Sequence, residues 1–190
     1  MDQRTDSEVM AASLAEPQEF SAIYERYFAQ VYRYLARRVG PTAADDLAAE
    51  VFVRAFTLRE RFDPAAASAR PWLYGFAANI IRDHLRHERR RNRAYIHASA
   101  PTTGGIEMQE AENRASAALM VPRLDKALAA LKAADRETFL LHVLGELSYE
   151  EVAASLKIPV GTVRSRIARA RVRLRELMVD HRQTMGGENG

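Results

Sequence analysis

At 190 residues, 47% of them hydrophobic and 28% charged, the chain has the make-up of an ordinary globular protein and enough length for two small packed cores. It contains no cysteine, which excludes disulfides, thiolate metal sites and thiol redox switching. The net charge is only +3, yet six arginines fall in Arg82–Arg93 and six more in Arg164–Arg175, while the first seventy residues carry slightly more acid than base; two separated basic blocks predict two contacts with a polyanion.

The chain opens on acidic and polar residues (Asp2, Asp6, Glu8) without the basic start and apolar run of a signal peptide. No stretch approaches the roughly 20 apolar residues of a membrane helix, so no membrane insertion and a cytoplasmic location are expected. Residues 1–16 lack periodicity and are expected to be loose. From Pro17 onward Phe20, Ile23, Tyr24, Tyr27, Phe28, Val31 and Leu35 recur at helical spacing, and Gly40-Pro41 ends that helix. Thr42 is placed to cap a second helix, with Asp45 and Asp46 in its first turn and Leu47, Val51, Phe52, Ala55, Phe56 and Leu58 along it. Phe62–Pro71 reads as a loop, because prolines bracket small residues. A third helix is expected from about Trp72 to Arg91, with Trp72, Phe76, Ile80 and His84 on one stripe.

Residues 92–121 contain Pro101-Thr-Thr-Gly-Gly105, several acids and few large apolar groups, as a linker does. Beyond it Leu124, Leu128 and Leu131 share one face, and Phe139, Leu140, Val143 and Leu144 mark the next helix, which Gly145 stops. The tail from His181 is polar and glycine-rich and is expected to be disordered. With no repeat and no strand-like alternation, the expected fold is all-α: two small helical domains over 17–91 and 122–180, joined by a flexible linker over 92–121.

The stretch from Ser148 to Leu174 carries the most information. Ser148 followed three residues later by Glu151 is a capping box, so a helix starts there. Ile158-Pro159 cannot continue it, and a new helix begins near Val160. Two short helices across a tight turn match a helix-turn-helix, whose second helix enters the DNA major groove. On a helical wheel Val163, Ile167, Ala170 and Leu174 fall on one inward face. The opposite face centres on Ser165, Ala168 and Val172, with Arg164 and Arg169 beside it; small central residues let the backbone approach base edges, which the flanking arginines can reach. Arg166, Arg171 and Arg173 lie nearer the margins, where phosphate contact is favoured.

The segment LSYEEVAASLKIPVGTVRSRIARARVRLREL resembles the minus-35-recognition region of extracytoplasmic-function (ECF) sigma factors, most specifically over Pro159–Arg166. Lys157 stands where such sequences usually place glycine, and a non-glycine residue in the left-handed conformation costs on the order of 1 kcal/mol. DDLAAEVFVRAF (Asp45–Phe56) resembles the helix by which sigma factors grip the largest polymerase subunit, and RPWLYGFAANIIRDHLRHERRR (Arg70–Arg91) the helix that reads and melts the minus-10 element. The three regions stand in the family's order. The resemblance implies polymerase contacts at Asp45, Asp46, Glu50 and Phe52. It places minus-10 contacts at Trp72, Asn79, Arg82, Arg86 and Arg89, and minus-35 contacts at Thr162, Arg164, Ser165, Arg166, Ala168, Arg169, Arg171 and Arg173. It implies core RNA polymerase and promoter DNA as partners and admits an anti-sigma protein.

From the residues alone, Trp72 on an apolar stripe reads more readily as core, and Asn79 equally as a surface amide. Asp45, Asp46 and Glu50 also read as helix-dipole partners. A linker of about 30 residues spans up to about 100 Å, enough to bridge promoter sites about two DNA turns apart. The histidines at 84, 87, 97, 142 and 181 lack metal-ligand spacing, and no catalytic constellation, cofactor motif or small-molecule substrate site is found, so no enzyme and no metal are expected. The competing reading is a stand-alone helix-turn-helix regulator that binds duplex DNA without polymerase.

Overall fold

The computed structural model describes residues 4–96 and 123–183, and only helices and turns occur among them. The first helix, α1 (Asp6–Ala15), falls in the stretch expected to be loose. Thr5 and Glu8 form a reciprocal capping box at its start, and Val9 and Met10 are buried in the core. A 3-10 turn at Pro17–Phe20 leads into α2 (Ser21–Val39), which buries Ile23, Tyr27, Val31, Tyr34 and Leu35. Gly40, with φ of +85°, ends α2 and turns the chain directly into α3 (Pro41–Thr57). Thr42 therefore lies inside α3 rather than capping it, and Asp45 and Asp46 lie past the first turn: proline at the first helical position fixes the start without a side-chain cap.

α3 packs Ala44, Leu47, Ala48, Val51, Phe52 and Ala55 against α2. A 3-10 turn (Arg59–Arg61) and the loop to Ala69 lead into α4 (Arg70–Ile96), which starts two residues before the expected Trp72. Its buried face is Leu73, Tyr74, Ala77, Ala78, Ile80 and Ile81, so Trp72, Phe76 and His84 sit at the margin, half-buried. The side chain of Arg89 and most of the expected linker, from residue 97 on, lie outside the described residues, as does His97.

The carboxy-terminal half comprises α5 (residues 123–129), α6 (Ala133–Val143), α7 (Tyr149–Leu156) and α8 (Val160–Gln183). Leu131 and Leu140 are buried as expected, but Leu124 and Val143, expected on the same faces, are 45% and 46% exposed, and Ala127 and Leu141 fill the interior in their place. The positive φ after α6 belongs to Glu146, not Gly145. The tail expected to be disordered begins helical, since α8 runs to Gln183.

The two expected cores are one. A continuous hydrophobic cluster runs from Val9 through Leu73 to Leu141, Leu147, Val152, Val163 and Ile167, because α7 lies against α4. Each fully buried Leu or Ile in it contributes about 1.5–3 kcal/mol. No described helix is long and apolar enough to cross a membrane.

Candidate nucleic-acid interface

Ser148 caps α7 by accepting from the Glu151 amide at 3.1 Å, and the Glu151 carboxylate accepts from the Ser148 amide at 2.8 Å. Lys157 takes the left-handed conformation (φ 53°, ψ 49°) expected of the turn. The Ile158 amide then donates back to the Ala153 carbonyl at 3.0 Å, the six-to-one bond of a Schellman turn. Pro159 redirects the chain into α8. Val163, Ile167 and Ala170 are fully buried and Leu174 half-buried, which fixes the rotation of α8. Arg164, Ser165, Ala168, Arg171, Val172 and Arg173 are consequently exposed, with Thr162 and Arg166 half-buried at the edges.

Three arginines of α8 are engaged. Arg169 donates from Nε (3.1 Å) and Nη2 (2.9 Å) to the two carboxylate oxygens of the buried Asp135, tying α8 to the first turn of α6. The Arg169 hydrogen bonds are the main reason that the Asp135 carboxyl sits below its ordinary range. Arg166 approaches the Thr138 hydroxyl at 3.5 Å. Arg173 pairs with Glu176 at 3.1 Å on open surface. Asp135 and Thr138 were not singled out from sequence, since nothing local distinguishes an acid that caps its own helix from one that anchors another.

On α4, Trp72, Phe76, Asn79 and Arg86 share one face at steps of four, three and seven. Trp72 stacks edge-on against both Phe62 (5.5 Å) and Phe76 (4.8 Å), so it is a half-buried shelf rather than core. Asn79 is exposed and accepts from Arg82; Arg82 and Arg86 are exposed. A cleft of about 740 Å³ opens between this shelf and α7, lined by Phe62, Asp63, Trp72, Phe76, Glu150 and Glu151. A second of about 740 Å³ is strongly cationic, with Arg38, Arg82, Arg86, Arg90, Arg136 and Arg166 on its walls.

On α3, Asp45 and Asp46 are exposed, and Glu50 pairs with Arg54 one turn on. Phe52 points inward: it is 5% exposed and packs its ring on Tyr24 (4.9 Å) and Phe28 (6.0 Å). The neighbouring Val53, 63% exposed, presents the apolar surface of that helix.

The halves are joined by charges that sequence reasoning missed. Arg70 grips the Glu151 carboxylate (3.0 and 3.1 Å) and the carbonyls of Gly145 (2.9 Å) and Glu146 (3.1 Å). Arg38 donates to Glu137 (3.2 and 3.0 Å) and to the Tyr34 hydroxyl (2.8 Å). Burial, reinforced by the Glu137 carboxylate, pushes the Tyr34 phenol well up, so it stays neutral.

The family model "Sigma-70 region 2" matches residues 23–91 and "Sigma-70, region 4" matches residues 122–174. The chain is 34% identical over 176 residues to the ECF RNA polymerase sigma factor SigL of Mycobacterium tuberculosis (strain ATCC 35801 / TMC 107 / Erdman), covering 90% of this chain and 97% of that one. It is 38% identical over 144 residues to the probable RNA polymerase sigma-C factor of Mycobacterium bovis, covering 74% and 73%. In fold it is similar to CnrH, solved in complex with the cytosolic domain of CnrY, at TM-score 0.64 and 24% identity over 92% of this chain and 97% of that one. A likeness at TM-score 0.58 and 23% identity links it to RpoE of Bartonella quintana, solved with the anti-sigma factor NepR, over 85% and 97%.

Proposed function

This chain belongs to the extracytoplasmic-function RNA polymerase sigma factors, and from that membership we propose which of its surfaces meet polymerase and each promoter element. It is a DNA-binding factor that directs promoter-specific transcription initiation with RNA polymerase. The observation that carries the assignment is the rotation of α8: burial of Val163, Ile167 and Ala170 leaves Arg164, Ser165 and Ala168 facing outward for the minus-35 major groove.

Arg164 is the base-reading arginine. Arg169 offers DNA only what Asp135 leaves, its Nη1 edge, while Arg171 and Arg173 contact phosphates, and Thr162 and Arg166 border the groove. On α4, Asn79 and the Phe62–Pro71 loop hold the flipped minus-10 base beside the Trp72 shelf, and Arg82 and Arg86, with Arg89, follow the strand. Asp45, Asp46 and Glu50 face polymerase; Phe52 supports that helix from within. The two halves act as separate reading domains, over 17–91 and 122–180, once each is on its promoter element. An inhibitor protein of the anti-sigma class is a further proposed partner, and no step of this function calls for catalysis by the chain itself.

The test is transcription in vitro with core polymerase over a promoter library, comparing Arg164→Ala and Asn79→Ala with the parent. Arg164→Ala is expected to cost about 1–3 kcal/mol at one minus-35 base pair and to relax specificity there alone. Asn79→Ala is expected to alter preference only within the minus-10 element. Loss of activity that is uniform across the library in both variants would refute the assignment of these two faces.

A further inference from the structure

Asp6 is 4% exposed, and a carboxylate withdrawn from water is costly unless its oxygens are met by donors. Three donors converge on it: the Arg26 guanidinium, the Tyr27 hydroxyl at 2.5 Å and the Ala69 amide at 2.6 Å. The Tyr27 proton being committed to Asp6, Ser68 donates its hydroxyl to the Tyr27 oxygen at 2.9 Å. One residue along α1, the Ser7 hydroxyl donates to the Ala66 carbonyl at 3.2 Å. Residues 66, 68 and 69 are thus fastened to α1, directly or through Tyr27. Elsewhere in the loop Asp63 accepts from the Ala65 and Ala66 amides, and at its far end the Arg70 side chain is held by Gln30 and Glu151.

Ala69 is also the residue whose carbonyl starts α4, accepting from Leu73 at 3.0 Å. Its own side chain offers no cap: the Ser68 hydroxyl oxygen accepts from the Arg70 amide at 3.1 Å, and Asp6 accepts from the Ala69 amide, placing a negative charge where the α4 dipole favours it. α1 itself is clamped by its capping box, by Val9 and Met10 in the core, and by Arg59, which donates to the Ser13 carbonyl at 3.1 Å. All of α1 precedes residue 23, where the family match begins.

We propose that α1 is part of the promoter-reading device: Asp6 is a positioning residue that fixes the 66–69 end of the loop and the start of α4, so that base selection at minus-10 depends on the amino-terminal helix. The inference rests on the reading above that this loop and Asn79 hold the minus-10 base.

Full-length Asp6→Ala and Tyr27→Phe are assembled with core polymerase and compared on promoters differing at single minus-10 or single minus-35 positions. Core affinity and circular dichroism are recorded alongside. Asp6→Ala is expected to reduce minus-10 discrimination by about tenfold, the scale of one hydrogen bond to a charged group, and leave minus-35 discrimination intact. Tyr27→Phe keeps its ring in the core and is expected to shift the same ratio in the same direction by less; it decides alone if Asp6→Ala fails to fold. A purely structural role would lower both discriminations together, and that outcome, or an unchanged minus-10 ratio in the folded variants, overturns the proposal. A third chain with residues 63–67 replaced by glycine and serine separates the two readings. If it alone changes the minus-10 ratio, positioning by Asp6 fails and base reading by the loop stands; if it too leaves the ratio unchanged, both fall.

Discussion

Asp135 shows how one buried acid sets what an exposed arginine of α8 can do. Its carboxylate holds the Nε and Nη2 edge of Arg169, so that side chain reaches the solvent already oriented. The hydrogen bonds from Arg169 keep the Asp135 carboxyl below its ordinary range. A folded-state pKa lower than the unfolded one means stabilisation that is present above the unfolded value and is lost as pH falls through the folded one. The pair is therefore at full strength at neutral pH and fades in acid below about pH 4. Asp135→Asn, uncharged throughout, is expected to be less stable than the parent at pH 7, with the gap narrowing as pH drops below that range. Urea unfolding at a series of pH values measures it, and a gap independent of pH would assign the loss to packing rather than to the ion pair.

The pairing of α7 with α8 depends on its turn. α7 ends at Lys157 with φ of 53°, a conformation that strains a residue bearing a Cβ. Lys157→Gly is expected to stabilise the protein by about 0.5–1 kcal/mol, read as a higher denaturation midpoint at unchanged slope. This turn was legible in the sequence because its causes are local: the Ser148–Glu151 box, the Ile158-Pro159 break and the inward stripe of α8 all lie within thirty residues. α1 was not legible for the opposite reason. It buries only two apolar side chains, and its fastening runs through Asp6 to Arg26, Tyr27 and Ala69, 20 to 63 residues away. Thr42 shows a local signal losing to another: a good capping residue is overridden when proline beside it takes the first helical position. Of the candidate site, the exposed residues of α8 followed from periodicity, whereas those of α3 came from the family resemblance. The inward turn of Phe52 and the tether on Arg169 depend on neighbours that no spacing rule supplies.

At the scale of the molecule, the two halves are packed together by a junction whose parts oppose one another. Its ion pairs are partly withdrawn from water; the Arg38 side chain is only 6% exposed beside Tyr34 and Glu137. Removing one partner of a fully buried pair costs about 3–5 kcal/mol, but here the stranded charge can regain water if the halves separate. The cost is therefore capped by the free energy of docking, and charge removal cannot distinguish a weak junction from a strong one. Gly75 can. A Cβ at that position would stand 2.9 Å from the Ser155 carbonyl oxygen, a backbone atom of α7 that must move to admit it. Within α4 itself the same change is favourable, since alanine exceeds glycine in helix propensity by about 1 kcal/mol. Gly75→Ala thus drives the junction apart while strengthening the helix that carries it. The absence of native cysteine allows dyes to be placed at Val53→Cys and Val172→Cys, both exposed and in opposite halves. The expected result is lower energy transfer in Gly75→Ala than in the parent, with helical content by circular dichroism retained. Unchanged transfer together with a lower melting temperature would mean that α4 and α7 unfold as one unit, and that the halves separate only when polymerase or DNA draws them apart.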